Sequence, residues 1–126
     1  MNLLLDTHVF LWAVDDSSKL SPKARAAIVE GRNVVFVSAA TAWELSIKKA
    51  IGKLKIPQGD YLEELRLHRF TPLDITTEHA LLVENLPHYH RDPFDRMLIA
   101  QAQVERLTLV TGDLRLKAYP VKILEA

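Results

Sequence analysis

Four acidic residues stand beside short apolar runs in this chain of 126 residues. Asp6 directly follows Asn2–Leu5, Glu44 lies a few residues beyond the apolar run 34–37, and Asp113 comes just after Thr108–Thr111. Asp95 stands two residues after Pro93, at the head of a stretch that leads into Thr108–Thr111. Carboxylates gathered in one place repel unless a cation holds them. The chain has no cysteine, so a donor set built on these acids is all oxygen and suits Mg²⁺, with Mn²⁺ as a substitute, over zinc. Mg²⁺ keeps several waters, recruits phosphate groups and lowers the pKa of water; a second metal about 3.5–4 Å away can stabilise a leaving oxygen. The chemistry implied is metal-assisted phosphodiester hydrolysis, with no protein nucleophile required, and the spacing leaves one or two metals open.

Each acid also has a purely structural reading. Asp6 can cap a helix starting at Thr7. Thr41-Ala42-Trp43-Glu44 fits a capping box, and Asp92-Pro93-Phe94-Asp95 fits an N-cap, proline at the first helical position and an acid in the first turn. Asp113 can cap a short helix. Jointly these readings weaken, because a helix starting straight after 34–37 places Glu44 too far in for a cap.

The elements that must position these residues alternate. Asn2–Leu5 reads as a buried strand, being a short apolar run, and 34–37, apolar and β-branched, as a second; Thr108–Thr111 and 121–124 read as further strands. The segment 70–75 reads as a third strand in chain order, confined to an edge by Pro72. Helices are expected over Thr7–Val14, from Ser21-Pro22 to about residue 30, over 39–51, 60–68, from Thr76 to 86, over Pro93–Glu105 and, shorter, over 113–118. In 39–51 the apolar stripe is expected to be Ala42, Leu45, Ile47 and Ala50. From Asp95 the same-face positions are Leu98, Ile99 and Ala102, so Asp95 should begin an inward stripe while Asp92 caps. Alternating strands and helices imply one α/β domain over 1–126, a parallel sheet with helices on both faces. Ligands of such sheets gather beyond the carboxyl ends of the strands, where three of the four acids stand.

Composition narrows the classes. Sixteen Lys+Arg against sixteen Asp+Glu give no net charge, which disfavours a protein that coats nucleic acid by bulk charge. With 48% hydrophobic and 25% charged residues the chain is an ordinary globular one. No apolar stretch reaches the ~20 residues of a membrane helix, and the first residues lack the pattern of a signal peptide. The expectation is a cytoplasmic protein with no membrane association.

Four segments together resemble the PIN-domain ribonucleases, and within them the VapC toxins of type II toxin–antitoxin systems. They are Leu3-Leu4-Leu5-Asp6-Thr7-His8, Ser38-Ala39-Ala40-Thr41-Ala42-Trp43-Glu44-Leu45, the run from His90-Arg91-Asp92-Pro93-Phe94-Asp95-Arg96 to Ala102, and Leu109-Val110-Thr111-Gly112-Asp113. The resemblance covers nearly the whole chain. It implies an α/β/α sandwich and a Mg²⁺-dependent endoribonuclease that leaves a 3′-hydroxyl and a 5′-phosphate. It also implies an antitoxin partner and a homodimer. Asp6, Glu44, Asp95 and Asp113 fall on the family's acidic quartet. Thr111 fits the hydroxyl residue before the last acid, and Asp92 is an extra acid of the subgroup.

Other residues carry less. Arg91 and Arg96 flank Asp95 and are candidate phosphate contacts. His8 follows Asp6 and is another. Lys48, Lys49, Lys53 and Lys55 form a basic cluster that reads as a solvated face or as a guide for an RNA backbone. His88 and His90 read as members of a solvated loop. Trp12 and Trp43 read as core, with base stacking or partner contact as the alternative. A partner groove is expected around Trp12, Trp43, Ile47 and Leu65. Two rival functions remain. A non-catalytic RNA- or protein-binding module of the same fold would have little reason to keep four repelling acids. An aspartyl phosphatase needs Asp-x-Asp after the first strand, where this chain has Asp6-Thr7-His8.

Overall fold

Short apolar runs that cannot satisfy their backbone groups alone must pair, and here they pair in parallel. The computed structural model describes residues 1–53 and 60–126. Its elements are β1 (Asn2–Leu5), α1 (Thr7–Val14), α2 (Pro22–Val29), β2 (Val34–Ser38), α3 (Ala39–Ala50), α4 (Tyr61–Leu67), β3 (Thr71–Leu73), α5 (Thr77–Glu84), α6 (Pro93–Glu105), β4 (Thr108–Thr111), a 3-10 helix (Leu114–Ala118) and β5 (Lys122–Glu125). The sheet order is β3-β2-β1-β4-β5, parallel throughout. β1 is central, with Leu3 opposite both Val35 and Thr108 and Leu5 opposite both Val37 and Val110.

Side chains alternate across the sheet. Leu3, Leu5, Val35, Val37, Val110 and Leu124 pack with Val9 and Phe10 of α1, Ala24 of α2 and Leu65 of α4. On the other face Leu4 and Leu109 pack with Leu98, Ile99 and Ala102 of α6 and with Leu116 and Tyr119. The result is the expected α/β/α sandwich. β3 lies at the edge, paired only with β2, which is where Pro72 can be tolerated. It is shorter than the run 70–75 suggested.

Local chemistry starts the helices. Asp6, Ser21, Ser38, Asp60, Thr76 and Asp92 are N-caps whose side-chain oxygens accept first-turn N–H groups. Pro22 and Pro93 open α2 and α6. One stripe differs from expectation. α3 buries Ala40, Thr41, Glu44 and Leu45, while Ile47 and Ala50 are exposed. Thr41 and Glu44 face inward because Thr7 at the start of α1 contacts both. That polar contact rotates the helix away from its most apolar side.

Candidate functional site: an acidic cluster at the carboxyl edge of the sheet

After β1 the chain runs through β2 and β3 on one side, then returns to place β4 on the other. The switch point therefore lies between the carboxyl ends of β1 and β4, where an open parallel sheet leaves a crevice. Asp6 leaves β1 there and Asp113 follows β4.

Asp6 is buried, and its two oxygens are used differently. Oδ1 accepts the N–H of Val9 at 2.8 Å, capping α1, and Oδ2 accepts the hydroxyl of Thr111. Burial pushes the Asp6 carboxyl up, and these two hydrogen bonds pull it back. Thr111 Oγ1 in turn accepts the N–H of Asp113 at 3.0 Å. One hydroxyl thus ties the first acid to the backbone of the last.

Glu44 is not part of a capping box. The cap of α3 is Ser38, and the Glu44 carboxylate accepts from Thr7 Oγ1 at 2.7 Å and from Lys48 Nζ at 2.7 Å. Lys48, expected on a solvated or RNA-guiding face, thus partners an acid of the quartet. Lys49 and Lys53 are exposed, and Lys55 lies outside the described residues.

Asp92 and Asp95 divide as expected. Asp92 Oδ1 accepts the N–H groups of Phe94 at 2.8 Å and Asp95 at 3.1 Å. Leu98, Ile99 and Ala102, on the face Asp95 begins, are all buried. The Asp95 carboxyl is pushed up to about 7, first by burial, then by the charge of Asp92, with Asp6 and Glu44 adding to it. His90 opposes that rise. Asp113 is held well below the ordinary carboxylate range, chiefly by Arg115, whose guanidinium reaches both its oxygens at 2.9 and 2.7 Å, and also by His90.

His90 is the residue that sequence reasoning misplaced. It is buried rather than solvated: its Nε2 lies 3.0 Å from Asp113 Oδ2 and 3.2 Å from Asp95 Oδ2. Nothing in the residues around it signals this, because the contacts that hold it come from elsewhere. The Tyr119 hydroxyl accepts the His90 N–H at 3.0 Å and donates to Pro87 O at 2.8 Å. Arg96 is corrected with it. Instead of facing a phosphate, its guanidinium is buried and donates to the carbonyls of Val83, Leu86, Pro87 and His90, clamping the loop between α5 and α6. His88 and Arg91 remain exposed.

The aromatic residues also divide. Trp12 is half-buried and, with Asp6, His8, Gly112, Asp113 and Leu114, lines a cleft of about 400 Å³ beside the acids. A β-carbon at Gly112 would stand 3.3 Å from the Trp12 ring, so glycine lets the indole close on this turn. Trp43 is not core: it is 61% exposed and packs edge-to-face on Phe94. Leu65 belongs to the core, which removes it from the expected partner groove; Ile47 is exposed. A larger cleft, about 570 Å³, opens near the start of β2 and β3 and contains none of the four acids.

The donor set fits a hard divalent cation. Two of the four carboxylates, Asp6 and Glu44, together with Asp92 raise the charge burden on Asp95, while Lys48 pairs with Glu44 and Arg115 with Asp113. Asp6, Glu44, Asp95 and Asp113 would hold such an ion.

A family model for the PIN domain matches residues 3–122. Ribonuclease VapC22 of Mycobacterium tuberculosis is 33% identical over 120 residues, covering 93% of this chain and 91% of that protein. Among solved structures, VapBC2 from Rickettsia felis, bound to a DNA fragment from its promoter, superposes with a TM-score of 0.74 at 17% identity, covering 99% of this chain and 98% of that one. DNA-bound VapBC from Salmonella typhimurium gives 0.69 at 20% identity, with the same coverage. The sandwich, the order of the acids and these matches agree: the chain belongs to the PIN-domain family and is VapC-type within it.

Proposed function

We propose that this protein is a divalent-metal-dependent endoribonuclease and the toxin of a toxin–antitoxin pair. The observation that carries the reading is the convergence of Asp6, Glu44, Asp95 and Asp113 at the switch point, each supported by a bond from outside its own turn or by a capped helix. A bound Mg²⁺ or Mn²⁺ supplies a lowered water pKa and charge compensation at a phosphate. The chain's own residues do the rest. Thr111 fixes Asp6 and the backbone at Asp113, Thr7 fixes Glu44, and the Asp92 cap sets the angle at which Asp95 leaves α6. The cleft walled by Trp12, His8 and Leu114 is where an RNA strand reaches these acids. The kinship to a ribonuclease supports nuclease over binding module, and so does the completeness of the quartet.

The partner is a cognate antitoxin, in line with the VapBC complexes that share the fold. RNA is the substrate, the working form is a homodimer and the compartment is the cytoplasm. No helix among the described residues is long and apolar enough to cross a membrane. The test is incubation of purified protein with a panel of single-stranded RNAs and Mg²⁺ or Mn²⁺, with and without chelator. Cleavage that stops in chelator and in Asp6→Asn supports the proposal; cleavage that survives both overturns it.

A further inference from the structure

We infer that His90 is a positioning residue for the metal-holding acids: it aligns the carboxylates of Asp113 and Asp95 through its Nε2–H and is not itself a ligand. The inference rests on the proposed metal site.

The ring's hydrogen bonds decide its role. His90 Nδ1 accepts the backbone N–H of Asp92 at 3.1 Å. A neutral imidazole has one acceptor nitrogen and one donor nitrogen, so an accepting Nδ1 places the proton on Nε2. Nε2 then has no lone pair for a metal, but it has a proton for the carboxylate oxygen of Asp113 at 3.0 Å, with that of Asp95 at 3.2 Å. Each carboxylate offers about four lone-pair sites, so a donor on one oxygen leaves others free for an ion. The three ligand-capable atoms of His90, Asp95 and Asp113 all lie within 4.8 Å of one another, a spacing that would suggest a three-ligand site if the tautomer were ignored.

The support behind the ring is built, not incidental. The backbone N–H of His90 donates to Tyr119 Oη and its carbonyl accepts from Arg96. Both partners also bond Pro87 O, so the loop that carries His90 is pinned at two points by side chains from α6 and from just beyond the 3-10 helix. A ring held at backbone, Nδ1 and Nε2 has little freedom left, which is what a group that aligns ligands requires.

Hydrogen-bonding partners of metal ligands typically cost about 10–100-fold in metal affinity when removed. The experiment is titration of the full-length protein with Mn²⁺, followed by the electron paramagnetic resonance of the free ion, and with Mg²⁺ by competition. His90→Ala is expected to weaken both ions by a similar factor within that range. His90→Gln, whose amide N–H reaches the Nε2 position, is expected to recover much of the loss. Tyr119→Phe, which keeps the packed ring and loses the hydroxyl, is expected to weaken both ions by less and supplies the test if His90→Ala fails to fold. Unchanged or tighter binding in His90→Ala would overturn the inference. A loss confined to Mn²⁺ would also overturn it, since a nitrogen ligand favours Mn²⁺ over Mg²⁺. If the unsubstituted chain binds neither ion, the metal reading falls and this inference with it, whereas normal binding with an indifferent His90 removes the inference alone.

Discussion

Two buried histidines use one device for two ends. His79 in α5 accepts the N–H of Thr76 at Nδ1, 3.0 Å away, and its Nε2 faces Glu105 at 2.8 Å. His90 accepts the N–H of Asp92 at Nδ1 and faces Asp113 and Asp95 at Nε2. Each ring therefore joins a backbone donor just outside a helix to a carboxylate from another part of the chain. The difference lies in the carboxylate. Glu105 is a single acid at the end of α6, so His79 completes a capping box and welds α5 to α6. Asp113 and Asp95 belong to the acidic cluster proposed to hold a metal, so there the same ring would order charge that such an ion balances. The geometry of an imidazole does not reveal its role; the number and company of the acids it faces do.

That contrast can be broken by substitution. The largest effect is expected at the acids. Asp95→Asn keeps the helix and its cap but removes a carboxylate proposed to hold the metal, and RNA cleavage should fall by more than about 100-fold, beyond the range for a residue that only supports a ligand. The measurement is the initial rate of cleavage on folded protein; a rate within threefold of the original would place Asp95 outside the chemistry.

His79→Ala should reverse the pattern of His90→Ala. Removing a fully buried ring and its capping bond should cost about 2–4 kcal/mol in denaturant unfolding. Divalent affinity should stay as it was. A comparable loss of metal at both histidines would mean that the two rings do not differ in the way their neighbours imply.

Asp92→Ala sharpens the comparison from the side of the cap. Loss of two N–H acceptor contacts should cost about 1 kcal/mol of stability, read from the same unfolding curves. Metal affinity should fall by far less than in Asp95→Asn, because Asp92 spends its oxygen on the backbone and acts on the site only through the cap. A greater loss of metal than of stability would make Asp92 a ligand.

The smallest effect is one of pH on metal-free protein. Asp95 titrates near 7 when folded and near 3.8 in an unfolded chain. The native state therefore binds more protons in between, and this group adds stability as pH falls from about 7 toward 4. Unfolding at pH 7 and pH 5.5 in chelator should show that gain against the background of the other acids, and Asp95→Asn should reduce it. A gain of the same size in both proteins would assign it elsewhere.

Much of this was legible in the residues, and the parts that were not share a cause. Asp6 after β1 and the Asp92-Pro93 start of α6 are local patterns, so cap, helix and inward stripe followed from spacing alone. The parallel sheet followed from runs too short and too apolar for anything else. The burial of His90 and Arg96 and the exposure of Trp43 escape local spacing because their environments are assembled from distant chain. Arg96 is accommodated by four carbonyls that converge only when the loop folds over it. His90 depends on Tyr119, 29 residues away. Trp43 is exposed because Thr7 draws Thr41 and Glu44 inward, a polar preference that no apolar period reports.

In the proposed function the four acids, through a divalent ion, direct water onto an RNA phosphodiester. The most direct measurement is the chemistry of the cut ends, taken from RNA cleaved with Mg²⁺ or Mn²⁺ and from an Asp6→Asn control. Attack by water is expected to leave a 5′-phosphate and a 3′-hydroxyl, absent in chelator and in the control. A 2′,3′-cyclic phosphate with a 5′-hydroxyl, formed with or without metal, would mean that the 2′-hydroxyl rather than water attacks and would rule out the metal-directed hydrolysis.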